Sequence, residues 1–122
     1  MSRLLKVTFF VHMLVAVVLG VPLLVIPGRF LNWVGWAPTE PILTRILGAA
    51  LLALAWGSFL GWRARERARV AILIETDAVF CVLGSVGVLR HLVIANYPLI
   101  AWALFAILAA FAVVWVICWF KK

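Results

Sequence analysis

Four uninterrupted apolar runs, at about residues 7–26, 42–62, 70–90 and 98–120, decide most of what this chain can become. A helix rises 1.5 Å per residue, so roughly 20 residues cross the ~30 Å hydrocarbon core of a bilayer, and each run meets that length. The runs take up most of the 122 residues. The expected fold is therefore all-α: one domain, an integral membrane four-helix transmembrane bundle. With 68% hydrophobic and 12% charged residues, the composition excludes an ordinary soluble domain.

Arg3 and Lys6 precede the first run as basic residues precede a signal sequence. The run is too long for one, and "VIPGRFLNW" follows it in place of a small-residue cleavage site, so a retained helix is expected.

The net charge of +7 sits at the ends of the runs and not in a patch, which argues for topology and against nucleic acid. Arg3, Lys6, Arg63, Arg65, Arg67, Arg69, Lys121 and Lys122 fall on one side; Arg29, Arg45 and Arg90 fall on the other. The positive-inside rule then puts both termini and the "RARERAR" loop in the cytoplasm of a multi-pass inner-membrane protein. Arg63, Arg65, Arg67 and Arg69 suit contact with anionic headgroups. On the opposite side, "PGRFLNWVGWAPTEP" is aromatic and weakly charged, and predicts a short helical turn or folded loop anchored in the headgroup region by Trp33 and Trp36. A lid over a lateral opening is the functional alternative for the same loop. Trp102 joins that external belt, Trp62, Trp115 and Trp119 form the internal one, and Trp56 lies deeper.

Helices in lipid associate through close packing and polar contacts, so small residues four apart mark touching faces. The second span offers Arg45, Ala49, Ala53, Gly57 and Gly61; the first offers Thr8, His12, Ala16 and Gly20, with Pro22 expected to bend it. In the third span Asp77, Cys81, Gly84, Ser85 and Val88 share a face. Glu75 points elsewhere, above Val79, Val82 and Val86, because two residues rotate a helix by about 200°.

Ionisable groups inside a span cost roughly 2.5–3.5 kcal/mol at its centre and usually face the bundle or a cavity. Asp77 lies ~10 Å and His12 ~8 Å from the cytoplasmic ends of their helices at 1.5 Å per residue. If the first and third spans adjoin, the two side chains can meet, either as a proton-responsive or ligand-binding pair or as a structural hydrogen bond. Glu75 is expected to reach toward the arginine loop or Lys6. Arg45 is expected to reach the surface or a carbonyl of the loop ending at Glu40, with an anionic ligand as the alternative. Cys81 and Cys118 differ too much in depth for a disulfide and predict free thiols. No metal motif, nucleotide loop or paired thiols occur. His12, Glu75, Asp77 and Cys81 would make only an irregular metal site because the acids diverge. Enzymatic activity is thus not the expectation, and no cofactor is implied.

One stretch, "PGRFLNWVGWAPTEPILTRILGAALLALAWGSFLGWRAR", resembles the small four-helix membrane proteins of the DoxX-like kind. The similarity lies in the proline after the first helix, Gly35 and Trp36, the Arg45, Leu47 and Gly48 cluster, and the exit at Arg63 and Arg65. The resemblance implies a four-helix bundle and a role for Arg45, and brings no agreed activity, substrate or cofactor.

Two functions fit these observations. In the first, the protein acts by helix packing within the lipid bilayer, as a homo-oligomer or as an accessory subunit of a larger membrane complex. In the alternative, it binds or transports, through an intramembrane site near His12 and Asp77, a proton-coupled small solute or a lipid-soluble ligand such as a quinone. A dry, tightly packed bundle is expected of the first, and a pocket at the level of His12 and Asp77 of the second.

Overall fold

The computed structural model describes residues 1–121. Four long helices, each long and apolar enough to cross a membrane, are α1 (Arg3–Val25), α3 (Pro41–Arg63), α4 (Ala71–Leu92) and α5 (Leu99–Phe120). A short helix, α2 (Pro27–Trp33), follows α1, and a 3₁₀ turn at Arg67–Val70 leads into α4. No strand forms among the described residues.

Local chemistry explains where these helices start and stop. The Ser2 hydroxyl accepts the Leu5 N–H at 3.2 Å and starts α1. The helix runs unbroken through Pro22 and ends at Ile26, where φ −133° and ψ 56° are non-helical. That break precedes Pro27, whose ring crowds the residue before it out of the α region, and Pro27 then occupies the first turn of α2. After α2, Gly35 takes φ +79°, a conformation that costs glycine little. At α3 the Glu40 carboxylate accepts the Leu43 N–H at 2.8 Å and Pro41 fills the first position.

The helices pair by sequence neighbourhood. α1 packs along α3 and α4 along α5, while the two pairs touch more sparsely, through α1 with α5 and α3 with α4. Because lipid tails are as apolar as leucine, the pairs hold by close contact and not by exclusion of water. At Gly20 and Gly48 the backbones of α1 and α3 meet closely. A Cβ at position 48 would stand 2.6 Å from the Leu24 nitrogen and 2.8 Å from the Gly20 carbonyl oxygen.

The face of α3 turned inward carries Thr44, Gly48, Ala55, Ser58 and Gly61, all buried. Of the stripe expected from spacing, Gly61 is buried against the Phe9 ring and Gly57 sits beside Leu73. Arg45, Ala49 and Ala53 of the same stripe are exposed, so they take no part in packing within the bundle. Four residues advance a helix by 400°, so a stripe at constant spacing of four drifts about 40° per step, and only its last two residues pack on a neighbour. Gly84 packs loosely on Leu108 of α5.

The 63–70 segment and the ends of α1 and α5 gather at one end of the bundle, called here the terminal end; α2 and its loop close the other. A core of Leu5, Phe9, Val70, Ile74, Ala78, Cys81, Ala112, Trp115 and Cys118 fills the terminal half. Trp115 is fully buried there, 4.9 Å from the Phe9 ring centroid, and so does not belong to the interfacial belt expected of it. Its Nε1–H finds no acceptor among the described residues.

Arg67 ties the two ends of the second pair together. Its Nη2 donates to the carbonyls of Cys118 and Trp119, both at 2.9 Å, which are two of the open acceptors that end α5. Arg67→Gln should therefore lower resistance to unfolding in detergent micelles by about 1.5 kcal/mol, the usual scale for hydrogen bonds from a charged donor. Arg69→Gln, with the same charge change, should leave the transition where it is; equal shifts in both variants would mean that only loop charge matters.

Candidate functional site

Between the two helix pairs, in the half of the bundle nearer α2, lies a cavity of about 510 Å³. Its walls come from Val15, Ala16, Leu19 and Leu23 of α1, Leu43, Leu47 and Leu51 of α3, Phe80, Gly84 and Val88 of α4, and Leu104, Ile107 and Leu108 of α5. Phe30, Leu31, Val34 and Trp36, from α2 and the loop after it, form its roof. This size suits a small organic ligand, and its lining is almost entirely apolar.

The loop thus divides its residues between two tasks. Trp33 is 66% exposed and faces outward, as an anchor in the headgroup region would, whereas Trp36 turns back onto the cavity. The turn that makes this possible holds the Trp36 N–H on the Leu31 carbonyl at 2.8 Å, just past Gly35.

His12, Cys81 and Phe111 border the cavity on the side of the terminal core. His12 belongs to the buried series Thr8, His12, Ala16 and Gly20 of α1. Its ring is fixed from two neighbouring helices. Nδ1 lies 2.7 Å from Ser58 Oγ of α3, and the ring stands edge-on to Phe111 and Trp115 of α5 at centroid distances of 4.9 and 5.5 Å. If the Ser58 hydroxyl donates to Nδ1, Nε2 carries the proton and can donate onward; in the opposite tautomer Nε2 accepts. Among the described residues Nε2 has no hydrogen-bond partner.

Asp77 is 4% exposed, on the buried face of α4 with Ile74, Ala78, Cys81 and Ser85. No hydrogen bond joins it to His12, whose Nδ1 is taken by Ser58, and no described residue donates to its carboxyl group. Cys81, one turn along α4, is free, buried and borders the cavity, while Cys118 is free and buried near the terminal end. The Ser85 hydroxyl is turned back on the Cys81 carbonyl. Glu75 is exposed on the outer side of α4 with Val79, Val82 and Val86, so the two acids point apart. No group of three or more His, Cys, Asp or Glu that could hold a metal ion occurs among the described residues.

Arg45 reaches over the junction of α1 and α2. Its Nη1 donates to the Leu24 carbonyl at 2.5 Å, so its acceptor lies at the end of α1 and not in the loop that ends at Glu40. Because the helix breaks at Ile26, carbonyls of its last turn lack intrahelical donors, and the guanidinium takes one of them.

Sequence spacing did not single out Ser58, Phe111 or Trp115. The available signals were polar Ser58 three residues from both Ala55 and Gly61, and Trp115 three residues from both Ala112 and Cys118. No protein-family model, no curated protein and no solved structure matches the chain.

Proposed function

We propose that the protein is an intramembrane binding protein for a lipid-soluble molecule with a single polar head, of which a quinone is one example. The observation that carries this reading is an apolar cavity of about 510 Å³ that ends on an immobilised histidine whose Nε2 is unengaged. An apolar body would occupy the leucine-lined walls, and Nε2 would hold the head by donating to a carbonyl or accepting from a hydroxyl. Asp77 lies beyond the edge of that space, a carboxyl group available if a proton accompanies the ligand.

In this proposal both termini face the cytoplasm of a multi-pass inner-membrane protein, because among the described residues the terminal end carries seven lysines and arginines and the other end three. A relation to DoxX-like proteins is part of the proposal, supported by the Pro27 break, the Gly35 turn and the seated Arg45 guanidinium. A second reading, self-association or docking to a larger membrane complex, is favoured by Ala49 and Ala53. They stand exposed four residues apart on the outer face of α3, where a second helix could approach closely.

Titration of the purified protein in nanodiscs with a short-tailed benzoquinone, read by tryptophan quenching, tests the binding reading. Saturable quenching is expected. His12→Phe should weaken it by roughly fivefold, the worth of one hydrogen bond of about 1 kcal/mol. Leu104→Trp, which fills the cavity, should abolish it. Unsaturable quenching, or variants indistinguishable from the parent protein, would leave packing as the better account.

A further inference from the structure

The cavity leaves unused a second concentration of chemistry, on the outer surface at the terminal end. There Lys6 of α1, Phe59, Trp62 and Arg63 of α3, and Arg65 just beyond it surround an open pocket of about 690 Å³. Three cations converge on it, and Glu66, the only acid of the loop, is not among its lining residues. The other arginines of the loop are disposed differently: Arg67 is committed to the carbonyls of α5, and Arg69 is exposed and does not line the pocket.

The cations do not stand alone. The Arg63 guanidinium carbon lies 5.6 Å from the Phe59 ring centroid, within range of a cation–π contact that fixes its direction. From the pocket a ladder of rings continues along the outside of α1 and α3. Phe10 meets Trp62 at 5.6 Å, Trp62 meets Phe59 at 6.3 Å, and Phe59 meets Trp56 at 5.6 Å. Trp56 is 63% exposed, so the ladder lies on the surface that faces lipid. From residue 62 to residue 56 it descends about 9 Å into the apolar layer at 1.5 Å per residue. A phosphate-binding pocket for a water-soluble ion would need no such track.

We infer that this surface is a specific site for one anionic phospholipid, its phosphate held among Lys6, Arg63 and Arg65 and an acyl chain laid along Trp62, Phe59 and Trp56. Arginine matches phosphate through paired N–H donors, and lysine adds a point charge. The site is separate from the cavity, on the opposite half of the bundle and on its outer face.

Nanodiscs of phosphatidylcholine doped with a small fraction of brominated lipid provide the test, since bromine quenches only nearby tryptophans. Brominated phosphatidylglycerol is expected to quench more than brominated phosphatidylcholine with the same chains. That excess should fall by at least a factor of three in Lys6→Gln/Arg63→Gln/Arg65→Gln and persist in Arg3→Gln/Arg69→Gln/Lys121→Gln, which carries the same net charge. Trp56→Phe/Trp62→Phe, which leaves every charge in place, should also remove it while circular dichroism stays helical. Absence of any excess overturns the proposal, as does equal loss in both charge variants, which would mean diffuse surface attraction. Displacement of the excess by inorganic phosphate would assign the pocket to the free ion and likewise overturn the lipid as occupant.

Discussion

Gly48→Ala should cost about 3 kcal/mol of stability in micelles, at the upper end of what overpacking by one methyl usually does. The added carbon would sit 2.6 Å from the Leu24 nitrogen, 2.8 Å from the Gly20 oxygen and 3.0 Å from the Leu23 carbonyl carbon. All three are backbone atoms, so no rotamer change relieves the clash and α1 and α3 must move apart along their whole contact. In lipid that separation is not offset by a hydrophobic gain elsewhere, because the exposed surfaces merely exchange protein for acyl chains. Gly61→Ala is the instructive comparison. Its new methyl would meet the Phe9 ring at 2.6 Å, a side chain, but one fully buried against Trp115, so the cost should be smaller yet real. Gly87→Ala has open space and should gain up to about 1 kcal/mol from helix propensity. Reversible unfolding in mixed micelles ranks the three. A Gly48→Ala protein as stable as the parent would mean that the backbones do not touch there.

Asp77→Leu should have the opposite sign, raising stability by about 2 kcal/mol or more. An acidic side chain inside a span carries an insertion cost that rises to roughly 2.5–3.5 kcal/mol at the centre. Here the group is 4% exposed and receives no hydrogen bond from a described residue, so little offsets that cost. Leucine is similar in shape and dispenses with the penalty. Asp77→Asn, which keeps a polar side chain but cannot ionise, should give a smaller gain of the same sign. If the proposal above holds, both variants also blunt the pH dependence of ligand binding, the exchange of stability for function expected of a site kept polar for a purpose. A loss of stability in Asp77→Leu would instead reveal a structural hydrogen bond, and would move Asp77 from the site to the scaffold. The unfolding midpoints and the binding isotherms are separate measurements, so one result does not dictate the other.

These outcomes bear on what could be read in advance. Span positions followed from length and hydropathy: the run at 42–62 differs from α3 by one residue at each end, and that at 98–120 from α5 by one residue at its start. Helix rotation was harder. For α1 the four-residue series from Thr8 to Gly20 is buried throughout, because α1 has neighbours on more than one side and its drifting stripe stays covered. For α3, packed chiefly against α1, the same drift carried Ala49 and Ala53 into the open and left Gly48 at the crossing. The burial of Asp77 and His12 was legible from their cost inside an apolar run. Their separation was not, since Ser58 on a third helix takes the histidine nitrogen, and only the mutual rotation of α1 and α3 brings it there. A pocket near His12 stayed one of two alternatives, because a cavity belongs to the gap between helix pairs and to no single segment.

The pairing of helices adjacent in sequence also bears on how the chain is made. When α1, α2 and α3 have emerged from the ribosome they can already close on each other through Gly20 and Gly48, with nothing yet required from α4 or α5. The second hairpin arrives later and joins through sparse contacts. Such a contact pattern suits insertion as two successive hairpins, and the hollow between them requires both.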